Sequence, residues 1–292
     1  MTSTPDAAFL NLRPAREADF ATCAEIAFQA FRAIAAQHNF PEDFPSAEVA
    51  WQVLKERCYD DGWHKLVAEV AGRLAGSCFM DERGPVARIG PITVSPEAQN
   101  CGVGRALMQA MIDRARARGV ASVRLVQVAY HARSLALYLK LGFDPVAPLS
   151  NLQGPSLALE LPGCRVRQAR LDDLASMDDL QRRAYGFERL AEARAAILAG
   201  SARVVERAGR ITAYTNYLGF DGHAVGETND DLKALIAAAP GFQGPGILVP
   251  TLNAELLRWC TAHGLRVVQP LTVMVMGDYQ PPRLPYLPSI NA

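Results

Sequence analysis

The chain has 292 residues, half of them hydrophobic and 21% charged, enough for two ordinary domains with well-packed cores. Thirty basic residues balance thirty acidic ones, which removes any general electrostatic ground for nucleic acid or an anionic membrane as a partner. Six scattered cysteines without a CxxC pair indicate neither a zinc site nor a disulfide framework, but reduced thiols and no metal. The opening MTSTPDAAF is short, polar and acidic, unlike a signal peptide, and no uncharged apolar run reaches the ~20 residues that span a bilayer. A soluble, cytoplasmic protein is expected.

In chain order, a short strand falls at Leu10–Arg13, and Asp19 stands where a helix could begin. HKLVAEVAGRLAGSCFM (His64–Met80) reads as strand, Ala-Gly-Arg turn and strand, with strands at Lys65–Val70 and Arg73–Met80. A further strand spans Ala87–Val94. Pro91 within it has no N–H, which confines it to an edge or a bulge. A helix follows from about Gly102 to Arg118 and ends at Gly119. Val103, Leu107, Met111 and Ala115 recur along it, with Met108 and Ile112 beside them, so that stripe faces the core. Ser122–Ala129 reads as a buried strand, His131–Leu141 as a helix, and Ser156–Leu161 as a last strand.

The second half rhymes with the first. LNLRPAREADF (Leu10–Phe20) parallels CRVRQARLDDL (Cys164–Leu174), and ARVVERAGRITAYTNYL (Ala202–Leu218) repeats the Ala-Gly-Arg hairpin. LALYLKLGFDPVAP (Leu135–Pro148) matches LLRWCTAHGLRVVQP (Leu256–Pro270), a helix closed by glycine and followed by a strand. Three landmarks in one order predict a duplicated fold. ELPGC (Glu160–Cys164) is the joint, giving domains 1–162 and 163–292.

EAQNCGVGRALMQAM (Glu97–Met111) places Gly102 and Gly104 at the mouth of a helix. First-turn N–H groups lack intrahelical partners, the helix dipole favours an anion there, and glycine lets a ligand approach the backbone. A P-loop would need Gly-Lys-Ser/Thr where Gly104 is followed by Arg105-Ala106, and a dinucleotide fingerprint would need glycine at Leu107. Cys101 in this loop has no histidine close in sequence and reads as a small loop residue.

ITVSPEAQNCGVGRAL together with HARSLALYLKLGF, some thirty residues on, resembles the GNAT superfamily of acyl-CoA-dependent N-acetyltransferases. Gln99, Gly102 and Gly104 match its Q/R-x-x-G-x-G/A loop, and Leu137, Tyr138, Gly142 and Phe143 match its downstream motif. The resemblance covers residues 10–161 well and the remainder as a degraded copy. It implies an α/β (α+β) tandem GNAT fold. Each half would carry a mixed, mostly antiparallel central sheet flanked by helices, with splayed fourth and fifth strands. It implies acetyl-CoA as cosubstrate, its pyrophosphate on the N–H groups from Asn100 through Cys101, Gly102, Val103 and Gly104 to Arg105. The pantetheine arm would lie along the backbone of Ile92, Thr93 and Val94. Transfer would go to an amine of a small molecule or peptide, and the chain would be a pseudo-dimeric monomer or a homodimer. Tyr138 is the implied general acid, a phenol that keeps its proton at neutral pH; the alternative is a core-filling aromatic.

His131, Ser134 and Tyr138 are spaced i, i+3 and i+7, on one helix face turned to the cofactor. His131 stands where the family has Asn; it could keep the pantetheine contact through one N–H, act as a base, or be solvated. Val126 stands where some members have a glutamate base, and Asp81, Glu82 and Glu69 read as surface charge, so the base is undecided. In the second half Cys260 and Asn253 align with Tyr138 and His131. After HAVGET the chain reads NDDLKALIAAAPGFQG, without the loop, and Asp230 and Asp231 would repel a pyrophosphate. That half would be structural, and QPPRLPYLPSI (Gln280–Ile290) an extended surface tail or a ligand for a proline-recognising partner. The rival to an enzyme is a non-catalytic acyl-CoA sensor or scaffold.

Overall fold

The computed structural model of the protein describes residues 10–291; the MTSTPDAAF segment lies outside them. The first run of elements is β1 (Leu10–Pro14), α1 (Phe20–His38), α2 (Ala47–Tyr59), β2 (Trp63–Val70), β3 (Arg73–Asp81), β4 (Val86–Val94), α3 (Val103–Ala117), β5 (Ser122–Val128), α4 (Ala132–Lys140) and β6 (Asp144–Gln153). The second repeats that order: β7 (Arg165–Gln168), α5 (Leu174–Tyr185), α6 (Leu190–Leu198), β8 (Arg203–Arg207), β9 (Arg210–Thr215), β10 (Ala224–Gly226), α7 (Asn229–Ala237), β11 (Ile247–Pro250), α8 (Ala254–Ala262) and β12 (Arg266–Gly277). A short β13 (Tyr286–Leu287) follows. By packing, the chain forms two compact units. One holds the residues up to Arg124 with Ala136–Gly142, the other Leu125–Leu135 and the chain from Phe143.

In the first unit β1, β2, β3 and β4 pair antiparallel in that order. The β2–β3 turn holds Ala71 at φ 51° and Gly72 at φ 74°, the pair of positive values a two-residue hairpin turn needs to follow strand twist. The β2–β3 pairing shifts register at Ala68/Glu69. The β1–β2 register sets Glu69 opposite Asn11, two residues from Arg13, whose guanidinium meets Glu69 at 2.7 Å and Asp19 at 2.6 Å. Asp19 also accepts from the Arg16 amide at 2.7 Å, fixing the turn into α1. α3 buries Val103, Leu107, Met108, Met111, Ile112 and Ala115, the expected stripe, and Gly119 at φ 70° follows its end.

In the second unit β7, β8, β9, β10 and β13 form an antiparallel sheet. Its β8–β9 turn again has positive φ, 48° at Ala208 and 75° at Gly209, and again shifts register, at Val205/Glu206. Glu206 and Asp173 meet Arg167 at 2.9 and 2.6 Å, as Glu69 and Asp19 meet Arg13. Elsewhere in this unit β6 lies between β12 and β11.

Two expectations change. Ser156–Leu161 is not a strand; the strand after α4 is Asp144–Gln153. The Leu157, Leu159, Leu161 alternation instead comes from irregular chain with Ala158 at φ 50°, pinned where the Leu159 amide donates to the Ala237 carbonyl at 3.0 Å. The proline-rich tail is engaged by its own chain. β13 pairs with β10, and the Ile290 amide donates to the Phe220 carbonyl at 2.8 Å. Among the described residues no helix is long and apolar enough to cross a membrane.

Candidate functional site

The site is assembled in the first unit from the end of β4, the start of α3 and the second half of α4. Ile92, Thr93 and Val94 pair with Cys78, Ser77 and Gly76 of β3. Pairing with β5 is parallel and confined to Val86–Arg88 against Ser122–Arg124. The β3–β4 register shifts between Cys78 and Met80, next to Pro91, which is the expected bulge. In an antiparallel strand alternate residues turn their N–H and C=O groups to opposite edges. The stretch after the bulge therefore carries backbone polar groups on its far edge, as an extended amide ligand requires. Thr93 is buried and its hydroxyl meets that of Ser77 at 3.1 Å, so its side chain is engaged beneath the sheet.

From Val94 the chain turns into α3. The Gln99 side-chain amide donates back to the Val94 carbonyl at 3.2 Å, so Gln99 braces the loop against the strand. Asn100 at φ 65° and Gly102 at φ 83° both take left-handed backbone, which Asn and Gly tolerate best. The first bond across the helix start is Ala106 N–H to the Gly102 carbonyl, 3.0 Å. The amides of Val103, Gly104 and Arg105 precede it, Gly102 offers no capping side chain, and the first turn holds no acidic residue. Cys101 and Arg105 are exposed. A Cβ on Gly104 would meet Leu137 and Val94 at 3.6 Å, ordinary contact, whereas one on Gly102 would meet nothing. Gly102 is therefore required by its dihedral. Gly104 marks where α3, β4 and α4 approach one another.

Tyr138 is 6% exposed, and burial pushes its phenol well above the ordinary tyrosine value, with the buried Cys78 thiol close enough to add to the effect. Cys78, opposite Ile92 in the register, is a site neighbour that the scattered cysteines gave no reason to single out. His131, just before α4, and Ser134 fall in the other unit, about two turns and one turn before Tyr138. That face is the less exposed one: Ala132, Arg133 and Ala136 are exposed, His131 and Ser134 half-buried. The Ser134 hydroxyl lies 2.9 Å from the His131 carbonyl and 3.1 Å from Gln127 Oε1, so it ties the start of α4 to β5.

Of the nearby carboxylates, Asp81 is buried and not the surface charge expected, while Glu82 and Glu69 stay partly exposed. Asp81 is 2% exposed and paired at 2.7 Å with both Arg83 and Arg88. Burial alone would raise its pKa, but the Arg83 hydrogen bond and the Arg88 charge hold it below the usual carboxylate value. Glu82 meets Arg114 at 2.6 Å and Arg118 at 3.1 Å, and Glu69 meets Arg13. An Arg opposite Asp81 could have been found from the β3–β4 register, which pairs Asp81 with Arg88.

The corresponding place in the second unit is closed. α7 begins at a capping box: the Thr228 hydroxyl accepts from the Asp231 amide, and Asp231 accepts from the Thr228 amide at 2.9 Å. Asp230 pairs with Lys233 at 2.9 Å. Cys260 and Asn253 occupy the places on α8 that Tyr138 and His131 hold on α4, with Cys260 buried and Asn253 serving as N-cap.

Residues 25–143 match the acetyltransferase (GNAT) family, and the chain carries a domain of that family there. Over 53 residues it is 45% identical to the ribosomal protein bS18-alanine N-acetyltransferase of Escherichia coli strain K12, covering 18% of this chain and 36% of that one. Over 102 residues it is 33% identical to the IAA acetyltransferase of Azospirillum brasilense, covering 33% of this chain and 66% of the other. The matches thus span 36% and 66% of those relatives. Among solved structures, a putative acetyltransferase from Pyrococcus horikoshii superposes with a TM-score of 0.71 at 17% identity, covering 95% of this chain and 93% of its own. At that identity the likeness establishes the fold, a mixed α/β architecture with mostly antiparallel sheet flanked by helices.

Proposed function

We propose that the chain is an N-acetyltransferase that binds acetyl-CoA in its first repeat and passes the acetyl group to an amine of a small molecule or peptide. The observation that carries this is the open start of α3: uncapped amides, two left-handed residues and no acid, placed after a bulged β4. The pyrophosphate would rest on the loop from Gln99 through Asn100, Cys101, Gly102, Val103 and Gly104 to Arg105, and the pantetheine along Ile92, Thr93 and Val94, with His131 and Ser134 beside it. Acetyl-CoA supplies the thioester. Tyr138 would give its phenolic proton to the departing sulfur, whose ordinary thiol pKa lies near 8.5. Because burial raises the phenol, Tyr138 holds that proton above the ordinary ~10 as well. The repeats would be 1–162 and 163–292, the second a degenerate copy without an acyl-CoA site. The repeated element order, the matching Arg13 and Arg167 ion pairs and the closed start of α7 support that reading.

Thiol release with acetyl-CoA across an amine panel, comparing wild type with Tyr138→Phe, tests the proposal. The expected result is turnover on at least one amine that falls ~10²–10⁴-fold in the variant. Binding without turnover on any amine would make the chain an acyl-CoA sensor. Equal turnover in the variant would remove Tyr138 as the acid.

A further inference from the structure

The second unit contains a cavity of about 470 Å³, within the ~300–1,000 Å³ of small-molecule sites. Its floor is one row across three strands. Gln168 of β7 and Thr215 of β9 both stand opposite Arg203 of β8. Directly paired residues project to the same face, and all three line the cavity. Leu218, Leu235 and Tyr217 supply apolar wall. Leu235 is 2% exposed and belongs to the core cluster beneath.

Arg203 is the unusual member. Its Nη1 donates to the carbonyls of Gly200, Ser201 and Ala202 at 2.8, 3.2 and 3.0 Å, which fixes the guanidinium in place. Among the described residues no carboxylate pairs with it. The other arginine at the cavity, Arg167, is already held by Asp173 and Glu206. Thr215 spends its hydroxyl on the Tyr217 and His223 carbonyls, both at 2.8 Å. The carbonyl end of α7 would disfavour an anion, but the Ala234, Ile236 and Ala237 carbonyls already accept hydrogen bonds. The Leu159 amide donates to the Ala237 carbonyl at 3.0 Å, and the Ser156 hydroxyl to that of Ala239 at 2.6 Å. One half-buried, pre-oriented cation thus stands at the end of an apolar cavity, with the Gln168 amide beside it.

We propose that this cavity binds a small monocarboxylic acid with a hydrocarbon or aromatic body. The carboxylate would accept hydrogen bonds from Nε and Nη2 of Arg203 and from the Gln168 amide, and the body would lie against Leu218, Leu235 and Tyr217. A guanidinium is the donor best shaped for a carboxylate, and a single uncompensated charge suits a monoanion better than a phosphate dianion. The site is separate from the acetyl-CoA reading and stands whether or not that reading holds.

The test is calorimetric titration of the full chain with phenylacetate and hexanoate, with their amides and with inorganic phosphate. Two variants, Arg203→Met and Gln168→Glu, go with it. The second keeps Arg203 on its carbonyls and supplies an internal carboxylate, so it covers the case in which Arg203→Met does not fold. The expected result is one site for at least one acid, at least tenfold weaker binding of its amide, and at least tenfold loss in a folded Gln168→Glu. Acetyl-CoA affinity should not change. Binding of neither acid, acid binding unchanged in Gln168→Glu, or phosphate binding more tightly than both acids would each overturn the proposal.

Discussion

The starts of α3 and α7 hold the same place in the two runs of elements and have opposite chemistry. At α3 the entering residue is a glycine with φ 83°, which offers no capping side chain, and the first turn has no acid. At α7 a threonine caps the helix, Asp231 closes the box, and Asp230 adds a second carboxylate. Both face the same problem, the unpartnered N–H groups of a first turn. The α7 solution is internal and stabilises its helix, whereas the N-cap glycine of α3 supplies no such partner.

The largest expected effect comes from giving α3 the chemistry of α7. Gly104→Asp puts an acid in the first turn at a position with room for a Cβ. An acid near a helix start ordinarily stabilises the helix, so Tm should hold or rise. Acetyl-CoA affinity should fall about a hundredfold, on the order of 2–3 kcal/mol, from the loss of dipole and amide interactions with an anion. Thermal melting and calorimetry on one preparation check both signs.

Gly102→Ala separates conformation from access. Nothing stands within 4 Å of the added carbon, but φ is 83°, so the change should cost about 1–2 kcal/mol of stability. A denaturant titration checks it; unchanged stability would mean the left-handed residue is not needed. The converse change, Thr228→Ala, opens α7. It should cost about 1 kcal/mol and leave acetyl-CoA affinity as it was, because Asp230 and Asp231 remain.

The smallest effect is acidic. Asp19 and Asp173 are both held below the ordinary carboxylate value, first by the hydrogen bonds of Arg13 and Arg167. A depressed folded pKa contributes stability that is present above the unfolded value, ~3.9, and is lost as pH falls through the folded one. Both units should therefore lose stability only below about pH 4, and Asp19→Asn or Asp173→Asn should flatten that limb when Tm is followed against pH.

Much of this was legible. The β2–β3 and β8–β9 hairpins, the α3 stripe, the bulge at Pro91 and the contrast between QNCGVGR and TNDD follow from local chemistry, with turn residues, periodicity and charge as the signals. Only the start of β6 is signalled, as the strand after the glycine-closed helix, and Pro145 and Pro148 hide its run on to Gln153. In the fold these lie in the half of the strand that pairs with β12 alone, while Leu149–Leu152 pair with both neighbours, so proline falls on the one-sided half. The burial of Asp81 is not legible locally, because it depends on Arg83 two residues on and on Arg88, which the β3–β4 register brings opposite it. Gly102 was read as making room, when its dihedral is what demands glycine.

The most direct measurement is the stoichiometry of acetyl-CoA binding to the full chain by isothermal titration. One site per chain is expected, lost in Gly104→Asp and retained in Thr228→Ala. Two sites per chain would contradict the proposal that the second half lacks an acyl-CoA site, and a single site that Gly104→Asp leaves intact would show that the start of α3 is only a turn.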